Sequence, residues 1–145
     1  SGGPLVNTKG EAIGVTTAII PYAQGIGFAI PIDEVKIFLE SIKKYGRAVR
    51  AWIGVYVTDV TPELVKAYKL PVTNGVIIIK VLRGSPADEV GLRPSDIIVE
   101  VDGKVIRSSK DLRKAAELGT ERGYVKAKVI RGYVEFYVNI PLLVE

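Results

Sequence analysis

Short apolar runs, each bounded by a turn or helix-cap signal, divide residues 52–140 into strands and helices. The pairs Asp102-Gly103 and Arg131-Gly132 lie between neighbouring runs and predict two hairpin turns. Because most runs are followed by a stop signal of this kind, the limits of the strands can be placed. The predicted strands cover residues 52–58, 75–82, 96–101, 124–130 and 133–140.

Cap signals predict the helices of the same region. Each cap is a Ser or Thr whose hydroxyl can accept from the free N–H groups of a first turn, and in two cases a proline follows at the first helical position. Gly91 and Gly119 end two of these helices. The caps are Thr61, Ser85 and either Ser108 or Ser109, and the helices run to about Tyr68, over a single turn, and to Leu118. Five or so strands with two main helices predict an α+β domain over residues 52–145.

Residues 1–46 are predicted to form a different module. Short apolar clusters separated by glycines predict strands within residues 5–30, and these strands are too few to form a core alone. Pro31 opens a helix with acidic residues in its first turn, lysines in its last turn and Gly46 just past its end. The polar and basic residues 47–51 suit a linker, so the predicted division is 1–46, 47–51 and 52–145.

The composition excludes several classes of function. The 145 residues include no cysteine and no histidine, which excludes disulfides, thiolate or imidazole metal sites, and an imidazole base. We expect neither a metal ion nor another cofactor. The net charge of +4 comes from residues such as Lys126 and Lys128, which alternate with apolar residues as on the solvated face of a strand. This pattern argues against a nucleic-acid partner, and no apolar run approaches the ~20 residues of a membrane span.

The first seven residues, SGGPLVN, resemble a segment of chymotrypsin-fold proteases that contains the nucleophile and usually reads GNSGGPLVN in the HtrA/Deg family. SGGP alone also suits a flexible terminus, but residues 7–18 and 25–31 are similar to the last barrel strands of these enzymes. The resemblance implies that Ser1 stands at the nucleophile position and that residues 16–25 border the pocket for a substrate side chain. The His and Asp of the triad would lie upstream in a longer parent protein.

Residues 52–55, WIGV, resemble the carboxylate-binding loop of the PDZ domains found in the same family. In such a loop an apolar-Gly-apolar turn exposes successive N–H groups, and glycine suits it because the amides converge on one point. The resemblance implies that residues 55–57 offer an open strand edge to an extended peptide and that helix 109–118 forms the other wall. Any one of Ile53, Val55 and Leu112 is equally consistent with a plain core position. The implied peptide-binding residues are Trp52, Ile53, Gly54, Val55, Tyr56, Val57, Leu112, Ala115 and Ala116.

A second signature supports the PDZ assignment. Residues 84–98, GSPADEVGLRPSDII, resemble the family's SPAxxAGLxxGDxI run, with two departures. Val90 stands where Ala is usual and needs slightly more room. Ser95 replaces a usual Gly, so we expect a left-handed and mildly strained residue just before Asp96.

Two functions follow from the resemblance. In the first, the chain is the end of an HtrA-type serine endopeptidase for protein quality control, and its PDZ domain captures peptides or unfolded proteins with apolar C-termini. In the second, it is a non-catalytic PDZ adaptor that only binds peptides. Without a histidine, this chain alone is expected to show no peptidase activity. The apolar strand edges of residues 5–30 predict a homo-oligomer, and the family suggests the cell envelope or another extracytoplasmic location, although the sequence leaves the compartment open.

Overall fold

The computed structural model describes residues 2–19 and 25–145, and the chain divides into two compact units, residues 1–49 and 50–145. Ser1 and residues 20–24 of the predicted pocket border, residues 16–25, lie outside the described residues. Across the described ranges, no helix combines the length and the hydropathy required to cross a bilayer.

The first unit is a small antiparallel sheet followed by one helix. The strands follow one another in the sheet in the order β1-β2-β3. The helix α1 has the predicted signals: acidic residues in its first turn, lysines in its last turn, and Gly46 in the left-handed conformation at its C-terminus, with φ of 72°. The elements are β1 (Pro4–Val6), β2 (Ala12–Ile19), β3 (Gly27–Pro31) and α1 (Ile32–Tyr45).

Apolar side chains of this unit remain largely exposed to solvent. Phe28 on β3 is 54% exposed and Leu39 on α1 is 51% exposed. The few buried groups include Ser41, whose hydroxyl accepts from the Val49 N–H at 2.8 Å and ties the end of the unit back to α1. A three-stranded sheet with one helix therefore leaves much of its apolar surface uncovered, as its size predicts. Other exposed apolar residues are Leu5, Val6, Ile13, Ile26 and Ile42.

The second unit contains antiparallel strands that surround one core. Its main sheet has the order β10-β9-β7-β6-β5, with β8 paired to β7, and β11 pairs with β4 in a separate two-stranded sheet. In the main sheet, β5 and β10 are therefore the edge strands. The strands are β4 (Ala51–Trp52), β5 (Val55–Asp59), β6 (Val76–Val81), β7 (Ile97–Val101), β8 (Lys104–Val105), β9 (Tyr124–Arg131), β10 (Val134–Pro141) and β11 (Leu143–Val144).

The helices of this unit begin at the predicted caps. The hydroxyls of Thr61, Ser85 and Ser108 accept from the N–H three residues later, so each satisfies a free donor of a first turn. The choice left open between Ser108 and Ser109 is thereby settled in favour of Ser108. The helices are α2 (Pro62–Tyr68), α3 (Pro86–Glu89) and α4 (Ser109–Leu118). This set of strands and helices confirms the predicted α+β class.

The core of the second unit lies between the inner face of the main sheet and the helices α3 and α4. Each fully buried aliphatic side chain contributes about 2 kcal/mol by removal from water. Val76, Ile98 and Val129, from three neighbouring strands, are completely buried. The same cluster includes Ile53, Ile78, Ala87, Val101, Ile106, Leu112, Ala115, Val125 and Ile140.

Two local predictions were wrong. Residues 52–58 do not form one strand, because β4 ends at Trp52 and β5 begins only at Val55. The last hairpin turns at Gly132 and Tyr133 instead of at Arg131 and Gly132, since Arg131 still pairs with Val134 in the ladder. The guanidinium of Arg131 is bound by a buried carboxylate, which holds that residue in β9.

Candidate functional site

The break between β4 and β5 is made by Gly54. Its φ of +86° lies in the left-handed region, where side chains with a Cβ are strained. A Cβ added here would also lie 2.2 Å from the Cβ of Ser85, far inside contact distance. Both the backbone conformation and the approach of Ser85 therefore require glycine at this position.

Two carbonyl groups of this break are bound to the segment that follows β6. The Ala87 N–H donates to the Ile53 carbonyl at 2.8 Å, and the Leu82 N–H donates to the Gly54 carbonyl at 2.9 Å. In a planar trans peptide the N–H points opposite to the C=O. The N–H groups of Gly54 and Val55 consequently point away from this segment, as in a loop that presents amides to an anion.

Strand β5 has one free edge in the described structure. It pairs with β6 on one side, and the Leu82 and Val60 amides, bonded to the Gly54 and Gly75 carbonyls, set the phase of the ladder. Successive residues of a strand direct their backbone groups to opposite sides. The backbone N–H and C=O groups of Val55 and Val57 therefore face the free edge, in line with the amide of the loop.

Helix α4 is the element predicted to form the other wall of a peptide-binding groove. It packs against β4 and β5. The Ser109 N–H in its first turn donates to the Asp59 carboxylate at the end of β5, at a distance of 2.7 Å. This bond joins the start of α4 to the end of β5.

The predicted binding residues occupy three kinds of position around this groove. Ile53, Leu112, Ala115 and Ala116 are buried, while Val55 and Val57 are partly buried against the core. Tyr56 alternates to the outer face, where it is 58% exposed and lies under the ammonium group of Lys80 on β6, 6.0 Å from its ring centroid. Trp52 is partly buried on β4. Ser1, predicted at the nucleophile position, lies outside the described residues.

Sequence reasoning missed two residues of the site. Asp59 was not singled out because its partner, Ser109, is 50 residues away along the chain. Ser85 was found only as a helix cap, yet its hydroxyl also donates to the Gly54 carbonyl at 3.4 Å. The local sequence predicts only the helix cap at Ser85. No sequence pattern indicates the long-range hydrogen bonds between Asp59 and Ser109 or between Ser85 and Gly54.

The second signature folds around an ion pair whose carboxylate is buried. Ser95 has φ of +74°, which confirms the left-handed residue expected before Asp96. The Asp96 carboxylate, 1% exposed, accepts from Nε and Nη2 of Arg131 at 2.8 Å each and from the Arg93 N–H at 2.8 Å. The hydrogen bond to Asp96 raises the pKa of the Arg131 guanidinium above its ordinary value. This bidentate pair fastens the segment before β7 to β9.

Comparison with known families identifies the second unit. The PDZ domain family profile matches residues 51–142, from β4 to just beyond β10. The chain belongs to the PDZ domain family. A solved structure titled as the HtrA3 PDZ domain bound to a phage-derived ligand, FGRWV, superposes with a TM-score of 0.59 at 27% identity, covering 67% of this chain and 88% of that one. The predicted PDZ fold is confirmed.

Longer relatives confirm the predicted HtrA/Deg resemblance. A Chlamydia muridarum protein named "Probable periplasmic serine endoprotease DegP-like" is 39% identical over 99% of this PDZ-containing chain and 29% of its own length. The solved structure titled "HtrA-type protease AlgW with decapeptide" matches 100% of this chain and 46% of its own, with a TM-score of 0.64 and 33% identity. The chain therefore spans less than half the length of these relatives.

Proposed function

We propose that the groove between β5 and α4 binds the last residues of an extended peptide and that its loop holds the terminal carboxylate. The observation that carries the proposal is the direction of the Gly54 and Val55 amides, which follows from the carbonyl bonds of Ile53 and Gly54 to the next segment. An added strand would pair with the free backbone groups of Val55 and Val57, the mode known as β-augmentation.

The walls of the groove favour an apolar terminal side chain. Val55 and Val57 are partly buried next to the core, and the α4 residues that face this side, Leu112, Ala115 and Ala116, are apolar and buried. Burying a charged side chain here without a partner would be unfavourable. The phage-derived ligand of the similar HtrA3 PDZ domain ends in Val, which supports the same preference for this chain.

Calorimetric titration with three otherwise identical peptides tests this function. One ends in Val, one in Asp, and one in Val with an amidated C-terminus. We expect the free Val peptide to bind at least about tenfold tighter than the other two, since each control loses one of the two recognised features. Equal affinities for all three peptides would exclude the proposed groove.

For the whole protein we propose an HtrA-type serine endopeptidase that acts in protein quality control. Residues 1–46 would then be the end of its protease domain, 47–51 a linker and 52–145 the PDZ domain, with Ser1 as nucleophile. The support is the sequence identity with HtrA- and Deg-type proteases, which extends across both units.

The coding sequence upstream of Ser1 provides the test. It should encode Gly-Asn directly before Ser1, with His and Asp further upstream. A start codon there instead would favour the peptide-binding adaptor.

The exposed apolar surface of the first unit supports a further proposal, that the chain associates with copies of itself. Phe28 and Leu39 are about half exposed on different elements of this unit. Apolar area of this kind is typical of surfaces that are covered by a partner.

A further inference from the structure

The N-terminus of α4 is capped twice, and the second cap comes from the opposite wall of the groove. Within the helix segment, the Ser108 hydroxyl accepts from the Asp111 N–H at 3.3 Å, and the Asp111 carboxylate accepts from the Arg107 N–H at 2.9 Å. Another first-turn donor, the Ser109 N–H, donates to the Asp59 carboxylate at 2.7 Å. A carboxylate at this place also interacts favourably with the helix dipole.

Asp59 is held firmly enough to act as an anchor. It is the last residue of β5 and pairs with Val76 on β6, a completely buried residue. The next residue, Val60, is itself buried, and its N–H donates to the Gly75 carbonyl at 2.9 Å. The backbone on both sides of the carboxylate is thus fixed to the sheet, so that the bond to Ser109 fixes α4 relative to β5.

We infer that Asp59 is a positioning residue that sets the width of the groove at the end remote from the carboxylate loop. This inference rests on the proposed peptide-binding function. The loop of residues 53–54 would bind the C-terminal end of the peptide, whereas Asp59 would control the affinity for the residues upstream of that end.

The length of β5 determines how long a bound peptide must be to extend as far as Asp59. A strand rises about 3.3 Å per residue, so Val55 and Asp59 are separated by roughly 13 Å along the strand. A bound peptide of three residues stays near the loop, whereas one of seven residues passes the Asp59–Ser109 contact. Only the longer peptide therefore depends on the spacing that Asp59 maintains.

The experiment compares a three-residue and a seven-residue peptide with the same apolar C-terminus in calorimetric titrations of the full chain. The variants are Asp59→Ala, which removes the bond, and Asp59→Asn, whose amide oxygen can still accept from Ser109. We expect Asp59→Ala to weaken the long peptide at least about fivefold and the short peptide less than about twofold. The Asn variant should recover most of the lost affinity.

Asp111→Ala is the matched control. It removes the carboxylate that accepts from the Arg107 N–H at the same helix end without touching the bond to β5, so it should lower the melting temperature while leaving the ratio of the two affinities as in the wild type. Equal weakening of both peptides by Asp59→Ala, or the same change of ratio in Asp111→Ala, overturns the positioning role. Failure of the wild type to bind either peptide is a different result, which removes the proposed function itself.

Discussion

At the scale of single residues, Gly54 is the loop position at which the structure most strictly determines the residue type. Its left-handed φ and its contact with Ser85 both exclude a side chain. The first constraint could be anticipated, because a loop whose amides converge usually requires such a residue. The second could not, since Ser85 is 31 residues away and the contact exists only once β6 has folded back.

Replacing Gly54 by Ala is expected to destabilise the protein by about 2–4 kcal/mol, from the left-handed strain together with the clash against Ser85. The matched control is Gly91→Ala, because Gly91 has a similar φ of +81° but open space where the Cβ would lie. That variant should lose only about 1–2 kcal/mol. Urea denaturation measures both values, and equal losses would show that the contact with Ser85 imposes no constraint.

The pair formed by Asp96 and Arg131 leads to a second prediction at this scale. Replacing Arg131 by Met leaves a carboxylate that is 1% exposed without its guanidinium, and we expect a loss of about 3 kcal/mol. In Lys43→Met the broken pair with Glu40 is 74% exposed on both sides, so the loss should stay below about 0.5 kcal/mol. Thermal and chemical denaturation of the two variants test the contrast, which similar losses would contradict.

At the scale of elements, the helices were predictable and the strand next to the site was not. The caps at Thr61, Ser85 and Ser108 are local features that act within three residues, so the sequence alone places them. Residues 52–58 carry the apolar pattern of one strand, but the left-handed φ of Gly54 and the hydrogen bond from the Ala87 N–H to the Ile53 carbonyl interrupt it. The groove depends on this interruption, and therefore on contacts between distant segments.

Helix α4 carries a pH dependence through Glu117. Partial burial raises the pKa of this carboxyl above 4.5, and the charge of Arg113 partly offsets the effect. The folded state then holds its proton more strongly than the unfolded state, so this group's contribution to stability falls as pH rises through and just above 4.5. Glu117→Gln should therefore become more stable relative to the wild type between pH 4 and pH 7.

The free energy of unfolding, measured in urea at several pH values, gives the difference between Glu117→Gln and the wild type. Arg113→Gln is the companion variant: it removes the charge that lowers the Glu117 pKa, so the fall in stability over the same pH range should become larger. A difference that does not change with pH in either variant would mean that Glu117 titrates alike in the folded and unfolded chain.

At the scale of the whole molecule, the two units differ in how completely they bury their apolar residues. Unit 50–145 has a continuous core in which Ile98 and Val129 are fully buried, whereas unit 1–49 exposes about half of Phe28 and Leu39. The sequence anticipated this difference, because the strands of residues 5–30 are too few to enclose a core. It could not identify which side chains remain uncovered, since that depends on the register of the sheet.

The difference between the units predicts that self-association depends on the first unit. The full chain should form dimers or larger species whose mass rises with concentration, while residues 50–145 alone should remain monomeric and bind the Val-terminated peptide with unchanged affinity. Light scattering coupled to size-exclusion chromatography measures both species.

The double variant Phe28→Lys with Leu39→Lys should shift the full chain toward monomer, because two charges would have to be buried at the contact. Tyr133→Lys, at an 87% exposed position of the second unit, is the control and should leave the mass distribution unchanged. A full chain that stays monomeric at every concentration would show that its uncovered apolar surface does not mediate contacts between copies.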